Sequence, residues 1–183
     1  MVRSPLFGRR IHIAGSVVDD VAVATGESVE QARALVAELV RVLVRRGANF
    51  VVPVDAEPSR KVDGLPICFD WLIWRTLKDS LALRPANVPG PLAVAVQHHK
   101  SEDQIPADYV DLWDELRGNP DLVKIENAAH WNMASKRMEA QARFGDILVH
   151  LAGRTNPIST AAHAASGLPV MVHLNGLARV RLK

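Results

Sequence analysis

Arg10-Ile11-His12-Ile13-Ala14-Gly15-Ser16 and, beyond one long helical pattern, Gly47-Ala48-Asn49-Phe50-Val51-Val52-Pro53-Val54 decide the fold of this chain. Arg10 to Ala14 is a short apolar run stopped by Gly15-Ser16, the pattern of a buried strand. Ser28-Val29-Glu30-Gln31 then has the form of a capping box, in which the Ser hydroxyl and the Gln amide satisfy orphan N–H groups. Val29, Ala32, Val36, Leu39 and Leu43 recur at spacings of three and four, which stacks them on one helix face. Arg45 and Arg46 suit the negative end of the helix dipole, and Gly47 ends the helix. Asn49 to Val54 reads as a second strand. Strand, helix and strand in so short a span make a βαβ unit, with parallel strands and a right-handed crossover.

Working outward, Asp55 to Leu65 is a polar, Pro-containing loop, and Asp70 to Leu81 is a helix anchored by Trp71, Leu72, Trp74 and Leu77. Further strands are expected at Leu92–Val96, Leu122–Ile125, Asp146–Leu151 and Val170–Leu174, and further helices at Tyr109–Arg117, Asn132–Arg143 and Ile158–Ser166. His98 to Asp108 reads as loop. Alternation of this kind predicts an α/β fold, a three-layer Rossmann-like domain with a mostly parallel sheet of five or six strands. The 183 residues suit a single such domain over 1–183.

Composition excludes several classes. At 48% hydrophobic with apolar residues recurring throughout, the chain is not disordered, and no window reaches the ~18–20 uninterrupted apolar residues of a membrane span. The lone Cys68 cannot form an internal disulfide, and no apolar segment follows the basic residues near the start, so a cytoplasmic protein is expected. Twenty-two Lys and Arg against 20 Asp and Glu leave a net charge of +2, too small to point to nucleic acid. Arg9-Arg10 and Arg179, Arg181 and Lys183 are read as solvated ends.

In an open parallel sheet, ligands bind beyond the carboxyl ends of the strands, where strand order reverses. Two loops there suit phosphate. Gly15-Ser16 offers close backbone approach, N–H groups and a hydroxyl. Gly153-Arg154-Thr155, with Ser159 and Thr160 at the start of the next helix, offers an arginine, hydroxyls and a helix N-terminus. Ser159 or Thr160 as a simple helix cap is compatible with that role.

These stretches carry a resemblance. Ile11-His12-Ile13-Ala14-Gly15-Ser16, the long helix ending at Gly47, and Asp146-Ile147-Leu148-Val149 leading into Ala152-Gly153-Arg154-Thr155 resemble the SLOG superfamily. Its members include the lonely-guy phosphoribohydrolases and DNA-processing proteins. The segment Met133 to Met138, with Arg137, is similar to the subset found beside TIR and sirtuin domains in bacterial defence and signalling proteins. The terminal Ala161 to Val170 is similar to the last helix and strand of that fold, while Asp55 to Ala129 has no clear counterpart. The resemblance implies binding of a nucleotide or nucleotide-derived signal, an ADP-ribose-like ligand, by a sensor module. Gly15, Ser16, Gly153, Arg154, Thr155, Ser159 and Thr160 would line the ligand, and Arg137 would add a second cationic contact.

The same ends resemble nucleoside deoxyribosyltransferases, so the alternative is a nucleoside or nucleotide N-glycosidase or a deoxyribosyltransferase-like enzyme. Both enzyme groups place a glutamate in the terminal helix, and that position falls on Ser159 here, in a helix without any carboxylate. Cleaving an N-glycosidic bond passes through an oxocarbenium-like state that needs a carboxylate. Binding is therefore favoured over catalysis, and an enzyme would have to draw on Asp19, Asp20, Asp55 or Glu57.

Other residues invite blander readings. Adjacent His98 and His99, with Glu102 and Asp103, point in opposite directions and read as solvated loop, so no metal is expected. Ser16, His12 and Asp20 form one conceivable nucleophile set, but His12 lies inside an apolar strand and reads as a core histidine. Cys68 reads as an unreactive thiol. Trp71 and Trp74 belong to the core or to a contact between copies, with adenine stacking the alternative. Trp131 and Asn132 are candidates to stack on a base and read its edge. No cofactor is expected. The expected partners are a small-molecule nucleotide, an effector domain or protein, and a second copy of the chain.

Overall fold

The computed structural model describes residues 4–17, 26–127, 140–141, 143–151 and 171–174. Six strands, β1 (Arg10–Gly15), β2 (Asn49–Pro53), β3 (Ala93–Gln97), β4 (Val123–Asn127), β5 (Ile147–Leu151) and β6 (Met171–Leu174), form one sheet in the order β4-β3-β2-β1-β5-β6. Every neighbouring pair is parallel. The chain steps outward from β1 to β4, then returns across the sheet to place β5 on the other side of β1. Strand order therefore reverses between β1 and β5.

That path also decides the layers. Right-handed crossovers that step in one direction deposit their helices on one face, and the return crossover deposits its helix on the other. Helices α1 (Gly26–Arg45), α2 (Asp70–Ser80) and α3 (Val110–Arg117) contribute Val29, Val36, Val40, Trp71, Trp74, Trp113 and Leu116 to one large cluster with Ile11, Ile13, Phe50, Val52, Ala93 and Ala95. The alternate residues Val51, Val94 and Val96 pack with Ala140 and the partly buried Phe144 in a second cluster. Strands β2 and β3 are buried at all five positions, as a sheet covered on both faces requires. This is the expected α/β Rossmann-like arrangement.

Boundaries move by one or two residues, with two physical corrections. Helix α1 begins at Gly26, so Ser28 lies inside its first turn, and the Gln31 amide donates to the Glu27 carboxylate at 3.3 Å in place of the expected capping box. Strand β1 runs through Gly15 and is prolonged by a bridge from Ser16 to Cys68, so Gly15-Ser16 is paired main chain and not a free turn. Trp71 and Trp74 are 1% and 0% exposed, which makes them core and rules out both a contact between copies and adenine stacking. Of the helix expected over 132–143, Ala140, Gln141 and Arg143 are helical, as is Phe144. The helix expected over 158–166 lies outside the described residues.

Gly47 closes α1 with two reverse bonds, Gly47 N–H to the Val44 carbonyl (2.9 Å) and Ala48 N–H to the Leu43 carbonyl (3.0 Å). Its φ is +80°, and a Cβ there would stand 2.7 Å from Phe7 Cδ2. Gly47→Ala combines left-handed strain with overpacking, and urea unfolding is expected to show a loss of about 2–3 kcal/mol.

Candidate ligand site

The reversal point is built by main-chain pairing. The last residue of β1, Gly15, stands in register with Leu151, the last residue of β5. The carboxyl ends of β1 and β5 thus lie side by side. Ala14, Gly15 and Ser16 are half-buried, in contrast to the buried Ile11 to Ile13 before them. Of the other expected contacts, Arg137, Gly153, Arg154, Thr155, Ser159 and Thr160 lie outside the described residues, as do Asp19, Asp20, Trp131 and Asn132.

The loop after β2 does more than connect. It doubles back at a Ser59–Pro66 bridge, with Ile67 N–H donating to the Pro58 carbonyl at 2.8 Å, and its return arm pairs with the end of β1. Val17 N–H donates to the Ile67 carbonyl at 2.9 Å beside the Ser16–Cys68 bridge. Arg60 is buried within this return, its Nε 3.1 Å from Asp63 Oδ1. The Asp55 carbonyl accepts from Trp71 Nε1 at 2.9 Å, which fastens the start of the loop to α2.

Glu57 sits inside this construction. Both of its carboxylate oxygens are closed off from solvent, and among the described residues the Cys68 backbone N–H is the hydrogen-bonding group set against them. Desolvation pushes the carboxyl up to about 7, against the pull of the Arg33 guanidinium on α1 and the nearby Cys68 N–H. Asp70, in the first turn of α2, is likewise raised to about 7 by burial and by the charge of Glu57. Burial and these two acids push the Cys68 thiol to about 12, which keeps it protonated and unreactive, as expected. Tyr109, just before α3, is also pushed up by burial and by Glu57. Its ring stacks on Trp71 at 4.9 Å between centroids, and the Arg75 guanidinium lies 5.6 Å from its centre. A desolvated pair of carboxyls, one arginine and a buried aromatic shelf thus stand beside the ends of β1 and β2.

Glu57 was one of four acids that the sequence offered for a carboxylate. Asp70 and Arg33 were missed. An acid opening a helix at the carboxyl edge of the sheet is a signal that could have found Asp70, whereas Arg33 carries none, being one polar residue of many on α1.

Elsewhere the candidates resolve plainly. His12 is buried in β1, as expected. His98 is not solvated loop: it is 5% exposed, its N–H donates to Ser101 Oγ at 3.0 Å, and its Nδ1 accepts from Lys100 N–H at 3.1 Å. Burial, with His99 and Lys100 alongside, lowers its pKa. Among the described residues no group of His, Cys, Asp or Glu is arranged to hold a metal ion, and no helix is long and apolar enough to cross a membrane.

Comparison with known families matches residues 6–171 to the family described as ATP nucleosidase Cap17-like, N-terminal. The chain belongs to this family. The match runs through Asp55 to Ala129, the part without a counterpart in the SLOG resemblance, and so takes in Glu57, Asp70 and the return between them. The Cap17-like family is nucleotide-related by its description, which agrees with the class of ligand implied by the strand-end loops. No curated protein and no solved structure matches the chain.

Proposed function

We propose that this Cap17-like domain is a sensor module that binds a nucleotide or nucleotide-derived signal, of the ADP-ribose type, in bacterial defence signalling. The observation that carries the reading is the pairing of Gly15 with Leu151 at the strand-order reversal, where an α/β sheet receives its ligand. In this reading Gly15, Ser16, Gly153, Arg154, Thr155, Ser159 and Thr160 hold phosphate, Arg137 adds charge, and occupancy alters the packing of an effector or of a second copy. The family description names the N-terminal part of an ATP nucleosidase, which fits a module that governs such an activity.

One observation favours a second reading, in which this domain itself cleaves an N-glycosidic bond. In that reaction the sugar's anomeric carbon passes from the base nitrogen to a water oxygen, and a carboxylate steadies the cationic sugar between them. The terminal helix supplies no such group, but Glu57 does, with a pKa near neutrality that suits proton transfer.

A thermal-shift panel of AMP, ADP, ATP, ADP-ribose, NAD, cyclic ADP-ribose isomers and cyclic dinucleotides separates the two. A ligand at a hundred times its Kd should stabilise the protein by about 2.7 kcal/mol, and Arg154→Ala should abolish that shift. Free adenine released from ATP, lost in Glu57→Gln and retained in Ser159→Ala, would instead establish the glycosidase.

A further inference from the structure

We infer that β4 is a docking edge for a second copy of this chain, which joins it as an antiparallel neighbour about a two-fold axis through Ile125, so that Lys124 of each copy faces Glu126 of the other. The pairing belongs to the far end of the sheet, away from the reversal between β1 and β5, and it holds whether the domain senses a nucleotide or cleaves one.

Among the described residues no strand pairs with the outer side of β4. The ladder on its inner side tells which main-chain groups that edge presents. Phe50 N–H donates to the Leu92 carbonyl and Val54 N–H to the Val96 carbonyl, so Leu92, Val94 and Val96 bond to β2. Ala93, Ala95 and Gln97 therefore turn towards β4, and Ala93 N–H donates to the Leu122 carbonyl at 2.8 Å. Alternation along β4 then commits the main chain of Lys124 and Glu126 to β3 and leaves the N–H and C=O of Ile125 and Asn127 facing out. Val123 faces out as well, with its N–H already donated to the Asn119 carbonyl at 3.0 Å. Side chains alternate between the two faces in the same way. Val123 joins Trp113 and Leu116 of α3 in the large core cluster, and Ile125 packs against it. Lys124 and Glu126 stand in register with Val94 and Val96 on the opposite face, where they form an ion pair with each other at 2.6 Å.

A two-fold axis across an antiparallel edge passes through one residue and its copy. Through Lys124 or Glu126 it would set two like charges directly opposite one another, which is repulsive. Through Val123 it would call on an N–H already bonded to Asn119 and set Lys124 opposite Leu122. Through Asn127 it would set Glu126 opposite position 128, past the end of the strand. Through Ile125 the requirements agree. The two Ile125 residues exchange both N–H···O=C bonds, and Asn127 N–H meets the Val123 carbonyl of the copy. Between them fall the pairs that are not hydrogen-bonded and so lie closer, and both are Lys124 with Glu126. A lysine alone on an edge strand keeps a second copy away. With Glu126 two residues on and on the same face, this edge is complementary to itself.

The test is sedimentation velocity of the chain across a micromolar concentration series, with thermal unfolding run on every protein to verify folding. Wild type should approach the mass of a dimer as its concentration rises. Lys124→Glu and Glu126→Lys each turn both cross-strand pairs from attraction to repulsion and should raise the dimer dissociation constant roughly 10-fold or more. Mixed in equal amounts, the two variants should recover the wild-type association, because one then carries acids at both positions and the other lysines. The double variant Lys124→Glu/Glu126→Lys should recover it alone. Salt gives a readout without substitution: the wild-type dimer should weaken as ionic strength rises, and a dimer that strengthens would overturn the pairing. A wild type that stays monomeric at every concentration would overturn it too, and leave the edge to a strand of another protein. A dimer indifferent to both single variants would place the contact between copies elsewhere and overturn it equally. Single variants that dissociate and then fail to associate with one another would overturn the register through Ile125.

Discussion

Trp74→Ala is expected to lower the unfolding free energy by about 3–5 kcal/mol, the range for deleting a fully buried tryptophan. Trp74 is 0% exposed and meets Trp113 edge-on at 5.8 Å between ring centroids, so it joins α2 to α3 beneath the sheet. Its Nε1–H donates to the Pro53 carbonyl at 3.0 Å, at the last residue of β2. Truncation opens a cavity between two helices and removes the donor from a buried carbonyl at once. Against a total stability of about 5–15 kcal/mol for a domain, that loss leaves little in reserve. Trp74→Phe keeps most of the volume and forfeits the hydrogen bond, so it should cost about 1–2 kcal/mol. Urea unfolding followed by circular dichroism measures both. A loss below 1 kcal/mol for the alanine variant would mean that the α2–α3 contact is not part of the cooperative core.

The architecture was legible because its pieces are local. Ile11 to Ala14, Phe50 to Val54 and Ala93 to Val96 are continuous apolar runs, which strands covered on both faces require, and α1 shows its buried stripe in its spacing. The order of chemistry along the chain then pointed to the carboxyl edge of the sheet, since the carboxyl ends of parallel strands all lie together. What failed was whatever depends on distant partners. His98 looks solvated in sequence and is buried because the turn at Ser101 folds back over its N–H. Glu57 reads as one more loop acid. Only the pairing of Ser16 with Cys68 brings the return arm over it, and no periodicity announces a bridge between residues so far apart. The capping box at Ser28 failed for a simpler reason: Glu27 offers the Gln31 amide a partner one turn earlier, and the helix extends to meet it.

Stability should fall as pH rises from about 4 to about 7, against the usual trend for carboxylates held in ion pairs. In the unfolded chain Glu57 and Asp70 ionise near 4.5 and 3.8, and in the folded protein near 7. Between those values the native state holds more protons than the unfolded state, so the slope of unfolding free energy against pH is negative. The contribution is fully present below about 4 and is gone above about 8. The two acids raise each other, and Glu57 is only half-buried as a residue, so screening reduces the gain to about 2–3 kcal/mol for the pair. Urea midpoints at pH 5, 6, 7 and 8 should show this decline. Glu57→Gln should remove about half of it, because burial still raises Asp70, and should be more stable than wild type at pH 8 by about 1–2 kcal/mol. An unchanged slope in the variant, or a lower stability at pH 8, would show that Glu57 is held by contacts that favour its charge. The gain in stability bears on function, because a carboxylate kept for the fold would lose stability when neutralised. One whose charge destabilises the folded protein is not retained for the fold, which is the pattern of a group kept for a functional site.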